Sequence, residues 1–237
     1  MTRQERGART RHALIRSAAK LFERHGYERT RLAEISSDAG VSPGALHFHF
    51  RNKAAVADAV VTSASHALHR AACRASRDRP NALQALTDIS HTFAFLLSRD
   101  VVVRAGFQLG YDTVRPPGPN LRQEWRECVE RLLAQALDEG VLAEGVALKP
   151  LTAAVVAATT GFEVLGRGEE EWLSRPSLTG FWQLLLPRVA TPRALSTLSP
   201  DGADFVIDKS LLIPEEFVPE TGPPPHGRRC RTAPSGA

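Results

Sequence analysis

The residues of this 237-residue chain best suited to chemistry lie between Thr30 and Lys53, in the run TRLAEISSDAGVSPGALHFHFRNK. Their types suit contact with nucleic acid. Arg31 carries a planar guanidinium fork, which matches the O6 and N7 acceptors of guanine. Thr30, Ser42, His47, His49 and Lys53 offer the donors and the cation that meet phosphate oxygens, while Gly44 and Ala45 lack the bulk that would keep a partner backbone away. Other chemistries are poorly served. Side chains two apart on a helix point about 200° apart, so His47 and His49 cannot share a metal ion. No H-E-x-x-H motif is present, and the glycines from Gly161 to Gly168 end a helix without the Lys-Ser/Thr that a phosphate loop needs. Neither enzymatic activity nor a cofactor nor a metal is expected.

Two short helices joined by a glycine turn would position these groups. Leu32, Ile35, Ser36 and Ala39 recur at helical spacing and predict a first helix with one buried face. Gly40 ends it, because the residue after a helix often adopts the left-handed conformation that glycine reaches without steric cost. Ser42 can cap the second helix and Pro43 suits its first position, where a missing N–H costs nothing. Leu46 and Phe50 return to the core, and His47 and His49 face outward. Upstream, Leu14, Ile15, Ala18, Ala19 and Phe22 mark the apolar face of a longer helix that His25 and Gly26 terminate. Three helices can then enclose a small core. Charge follows the same division: residues 1–53 hold eleven Lys and Arg against five Asp and Glu, and the rest of the chain nineteen against twenty-one. The positive surplus thus lies in the head, where phosphate neutralisation would use it.

The runs LFERHGYERT and AEISSDAGVSPGALHFHFRNK resemble the amino-terminal domain of the tetracycline-repressor-like (TetR) transcriptional regulators, over roughly residues 9–60. The resemblance implies a helix-turn-helix head, double-stranded operator DNA as partner and a homodimer. A two-fold dimer sets its recognition helices about 34 to 36 Å apart and reads a pseudo-palindrome. One position departs from the pattern. His47 stands where the family usually has Tyr, exchanging a phenol contact to phosphate for a pH-dependent imidazole.

Beyond Lys53 the pattern is helical throughout, so the fold class is all-α: a head at residues 1–53, a helical ligand-binding and dimerisation domain at 54–190, and a tail at 191–237 too poor in apolar residues to order itself. Helices are expected over about 54–76, over 83–97, after Asp100, over about 120–137, over 151–165 and over 181–189 with a start near Pro176. The Arg115-Pro116-Pro117-Gly118-Pro119 loop separates the third of these from the fourth. The segment 151–165 should be buried on most sides. It and the last apolar helix complete the core or pair with a symmetry mate in a four-helix bundle, the arrangement that the family resemblance implies. No apolar run approaches the ~20 residues of a membrane span, and no signal segment opens the chain, so a cytoplasmic protein is expected. Cys73, Cys128 and Cys230 are odd in number and unrelated in position, which argues against a disulfide framework and a zinc site.

The layout of Trp125 after a Pro-rich loop, then Thr159-Thr160-Gly161-Phe162, then Phe181-Trp182-Gln183-Leu184-Leu185-Leu186-Pro187, is similar to the gamma-butyrolactone receptors of actinomycetes. That resemblance implies a small-molecule inducer, with Trp125 walling a pocket and Thr160 donating a hydrogen bond to a lactone carbonyl. Gln108 and Tyr111 are further pocket candidates. Two readings stay open at each main position: Trp125 as wall or core anchor, and Thr160 as ligand donor or bonded back to its own helix. The function expected is a repressor released by a butyrolactone, a butenolide or a related metabolite and controlling secondary metabolism. The alternatives are a pseudo-receptor for antibiotics and a ligand-independent DNA binder.

Overall fold

The computed structural model describes residues 2–76 and 79–202. Among these, ten α-helices follow one another: α1 (Arg3–Arg29), α2 (Leu32–Asp38), α3 (Pro43–His49), α4 (Lys53–Ala75), α5 (Ala82–Arg99), α6 (Val101–Leu109), α7 (Leu121–Asp138), α8 (Leu148–Leu165), α9 (Arg175–Val189) and α10 (Pro192–Leu195). A 3₁₀ turn, Glu170–Leu173, links α8 to α9.

Short polar side chains start most of these helices. Asn52, Asn81, Asp100, Asn120, Ser174 and Thr191 each accept a hydrogen bond from a backbone N–H of the first turn, satisfying donors that otherwise lack partners. Asp100 does this at 2.9 Å from Val102 N and sets the sharp change of direction between α5 and α6. The kink in α1 falls at Gly26, whose φ is +76°.

The apolar residues form two clusters. The first joins Leu14, Phe22, Ile35, Leu46 and Phe50 of the head to Val56, Val60 and Ala64 of α4 and to Val102 and Phe107 of α6, so it crosses the sequence-level boundary at residue 53. The second fills the body with Leu86, Ile89, Trp125, Val129, Leu133, Trp182 and Leu186. Helix α6 lies against both α1 and α4. Gly106 makes the second approach possible: a Cβ there would sit 2.8 Å from Ala64 Cβ and 2.9 Å from Leu121 Cδ1. Any side chain would push the two helices apart.

Four sequence-level expectations change. Helix α8 is not buried on most sides: Leu151, Thr152, Val155 and Glu163 are its buried residues, and Ala153, Ala154, Ala157, Val164 and Leu165 are exposed. It is also long and apolar enough, by length and composition, to cross a membrane, contrary to the expectation that no segment was. Apolar composition alone does not reveal whether a neighbour within the chain will cover a face. The start of the expected tail is packed as well. Thr191 caps α10, Ser199 N–H donates to Gln84 Oε1 at 2.8 Å, His91 Nε2 donates to Pro200 O at 2.9 Å, and Arg175 donates to the carbonyls of Asp201 and Gly202. The remainder of the tail, with Arg228, Arg229 and Arg231, lies outside the described residues. Finally, Cys128 is a free thiol whose pKa burial raises, but Cys73 is disulfide-bonded, which the odd cysteine count argued against.

His91 makes this strap pH-sensitive. Burial lowers its pKa below the usual histidine value, against a smaller opposing effect of the Pro200 carbonyl; Arg175 lowers it further and Asp201 raises it. The unfolded chain therefore binds a proton before the folded chain does. This contribution to stability is whole above about pH 6.5, declines as pH falls below that value, and levels off once the folded-state ring protonates. His12 and His49 are shifted in the same direction. Urea midpoints should fall between pH 7 and pH 5.5, and His91→Gln should flatten that fall. An unaltered slope would remove His91 from the account.

Candidate functional site

The head presents a continuous face built from α2, its turn and α3. Gly40 adopts φ +66°, turning the chain so that Val41 N–H reaches Ser36 O at 2.9 Å. Ser42 caps α3 by accepting from Ala45 N at 3.2 Å. Gly40-Val41-Ser42-Pro43-Gly44 spells G-x-S-x-G, a pattern that marks a nucleophile where a strand turns into a helix. Here helix leads to helix and the hydroxyl serves as a cap. Leu46 and Phe50 are buried, and Ser42, Gly44 and His47 are exposed with Ala45 and His49 half-buried beside them. Burial, and secondarily the charge of Arg11, holds the His49 pKa below the ordinary histidine value. Arg31 is exposed at the start of α2, its backbone N–H donating to Glu34 Oε2 at 3.0 Å and its guanidinium open to solvent.

Two expected phosphate contacts are employed differently. Thr30 is 1 % exposed, and its hydroxyl donates to the carbonyls of Gly26 and Leu21. Lys53 donates from Nζ to the carbonyls of Tyr27 at 2.8 Å, Glu28 at 3.0 Å and Thr30 at 3.2 Å, and stands 4.5 Å from the Tyr27 ring centroid. All three ammonium protons are thereby placed. The lysine opens α4 and closes the C-terminal end of α1, where a positive charge also meets the negative end of the helix dipole. A second tie runs from the body, since Tyr27 N–H donates to Asp112 Oδ2 at 3.2 Å. A third joins Arg104 of α6 to Glu23 of α1 at 2.5 Å.

In the body a cavity opens between α5, α6, α7 and α8. Phe93, Phe107, Arg122, Trp125, Thr159 and Thr160 are among its walls. The cavity volume is about 30 Å³, room for two or three waters at roughly 10–15 Å³ each. Trp125 is buried, with its ring centroid 4.6 Å from that of Phe93. Its indole N–H donates to Thr159 Oγ1 at 2.7 Å, and the Thr159 hydroxyl donates in turn to Val155 O at 2.8 Å. Thr160 lines the cavity beside it. Gln108 and Tyr111 are not among the wall residues; their neighbour Phe107 is.

Tyr111 instead lies under the Arg122 guanidinium, 3.4 Å from its ring centroid, and Arg122 pairs with the buried carboxylate of Glu163. Arg167 pairs with the other oxygen of Glu163. Arg122 Nε is buried and has no hydrogen-bond partner among the described residues, so the cavity wall holds one unsatisfied donor. Sequence reasoning missed Arg122, Glu163, Thr159 and Phe93. The first two are 41 residues apart, and only the crossing of α7 and α8 brings them together.

Residues 14–60 match the bacterial regulatory proteins of the tetR family. The A-factor receptor protein of Streptomyces griseus is 29 % identical over 208 residues, spanning 85 % of this chain and 71 % of that protein. A crystal structure of a gamma-butyrolactone receptor superposes with a TM-score of 0.71 at 28 % identity, over 83 % of this chain and 96 % of that one. CprB, a TetR family protein from Streptomyces coelicolor solved with its biological operator sequence, is 31 % identical over 81 % of this chain and 94 % of its own, with a TM-score of 0.67. The chain belongs to the TetR family. It is a DNA-binding regulator resembling the gamma-butyrolactone receptors, and TetR regulators bind operator DNA. The helix-turn-helix of this TetR regulator is the face built from α2 and α3, and Lys53 holds it to the body.

That role for Lys53 has a measurable signature. Lys53→Met keeps the aliphatic stem and deletes the ammonium, leaving three carbonyls without their donor. Stability to urea should drop by about 1.5–3 kcal/mol, the range for hydrogen bonds to a charged group. If Lys53→Met is as stable as the parent and loses only DNA affinity, the ammonium serves phosphate after all.

Proposed function

We propose that the chain is a homodimeric transcriptional repressor which a small metabolite, of the gamma-butyrolactone or butenolide kind, releases from pseudo-palindromic operator DNA. In this reading Arg31 reads a guanine, and Ser42, Gly44, Ala45, His47 and His49 meet the major groove and its phosphates. One observation carries the coupling: α6 contributes Phe107 to the cavity and, three residues earlier, Arg104 to the ion pair with the head. Ligand pockets usually run to ~300–1,000 Å³, so an effector has to widen the cavity by moving its aromatic walls. Displacement of Phe107 moves α6 against α1 and α4, alters the spacing of the two heads and spoils their fit to successive grooves.

The dimer reading draws support from apolar surface that the chain leaves open. Leu184 is 79 % exposed on α9, Val164 and Leu165 are exposed on α8, and a Cβ added at Gly161 or Gly180 would meet nothing within 4 Å. Paired with a second copy, α8 and α9 make a four-helix bundle that covers these groups. In the division that follows, residues 1–53 are the DNA-reading head and the ligand-binding and dimerisation body extends from 54 through 202. A pseudo-receptor that answers to antibiotics would use the same cavity.

The test is release. Gel-shift binding to the DNA upstream of its own gene should be lost on adding members of a synthetic gamma-butyrolactone panel. Thr160→Val keeps the side chain's shape and removes the hydroxyl; it should leave DNA affinity unchanged and weaken the effector by about 1–3 kcal/mol. Binding that persists with every lactone, while an antibiotic releases it, favours the pseudo-receptor. Binding that nothing releases leaves a ligand-independent regulator.

A further inference from the structure

Helix α3 carries one side chain that its packing does not explain. Phe48 is 80 % exposed, the greatest exposure of any large apolar side chain among the described residues. Isolated apolar side chains on a surface are ordinary, but this one occupies the middle of the DNA-reading face. Leu46 and Phe50, two residues to either side, are buried at 1 % and 4 %, so Phe48 points directly away from the core. Gly44 lies one turn earlier on the same side. A Cβ there would meet only the Ser42 hydroxyl, at 3.9 Å, so the surface around Phe48 is low and the ring stands proud of it. The ring of His49 meets Phe48 edge to face, with centroids 5.2 Å apart and planes at 85°, which limits the directions the phenyl group can take.

The surroundings select the partner. A head with eleven basic residues against five acidic ones draws a polyanion, and a phenyl ring gains nothing from the phosphates that the neighbouring polar groups contact. Along the floor of the major groove the apolar group on display is the C5-methyl of thymine. We propose that Phe48 is a specificity-determining residue that reads this methyl group in each half-site. Its contribution is sequence information, separate from the guanine contact assigned to Arg31. The inference rests on the head's binding to DNA and is independent of any effector.

Full-length protein is used to enrich duplexes from a random-sequence pool, and each thymine of the enriched site is then replaced by deoxyuridine, which lacks only the methyl. One symmetric pair of positions should lose about fourfold in affinity per half-site, the effect of one buried methyl-sized group. Phe48→Ala should bind the thymine and uracil duplexes equally, whereas Phe48→Leu, still apolar, should keep part of the preference. The exposure of the ring means that neither variant should change the urea midpoint. Persistence of the thymine preference in Phe48→Ala, insensitivity of the parent to every replacement, or an equal loss by Phe48→Ala on enriched and random duplexes would each overturn the proposal. Failure to enrich any sequence would overturn it too, and with it the assignment of the head as a sequence reader.

Discussion

Helix α6 has to satisfy two neighbourhoods at once. On one side it is pressed into the groove between α1 and α4, so tightly at Gly106 that a single Cβ would collide with Ala64 and Leu121. On the other it supplies Phe107 to the cavity. Protein interiors are packed to near-crystalline density and transmit displacement because they have no slack to absorb it. Head and body share one apolar cluster, and in the proposed function the nine-residue α6 is the element through which a change in the cavity reaches the DNA-reading face.

Polar ties define how the head can move. Lys53 fixes the first turn of α4 to the end of α1, Asp112 holds the backbone of Tyr27, and Arg104 holds Glu23. These three contacts converge on the last two turns of α1. The second and third originate in or just after α6, so a displaced α6 pulls on α1, while the lysine makes α1 and the start of α4 move together. In the proposed function the head then turns as a unit, in keeping with a face whose internal geometry must survive if it is to read DNA again after an effector leaves.

Local rules made much of the head legible in the sequence. The turn at Gly40, the cap at Ser42 and the inward positions of Leu46 and Phe50 each depend on residues within one or two turns of each other. Lys53 was harder because its partners are set by how α1 and α4 meet, at carbonyls 23 to 26 residues away, and Thr30 because its hydroxyl turns back to Gly26 and Leu21 across the kink in α1. The cavity shows the same limit. Thr159 and Thr160 differ by one position, which is 100° of helix rotation, and only the location of the Trp125 indole shows that Thr159 takes its N–H and leaves Thr160 to the cavity. Apolar composition misled at α8, where a face open in one chain reads in sequence exactly like one buried within it.

In the proposed function, coupling between cavity and head is a free energy, and it must act equally in both directions. The direct measurement is a calorimetric titration of a releasing lactone into the free protein and into its complex with saturating operator duplex. Operator should weaken the lactone by the same factor by which the lactone weakens the operator. Equal lactone affinity in the two titrations would mean that cavity and head are not linked.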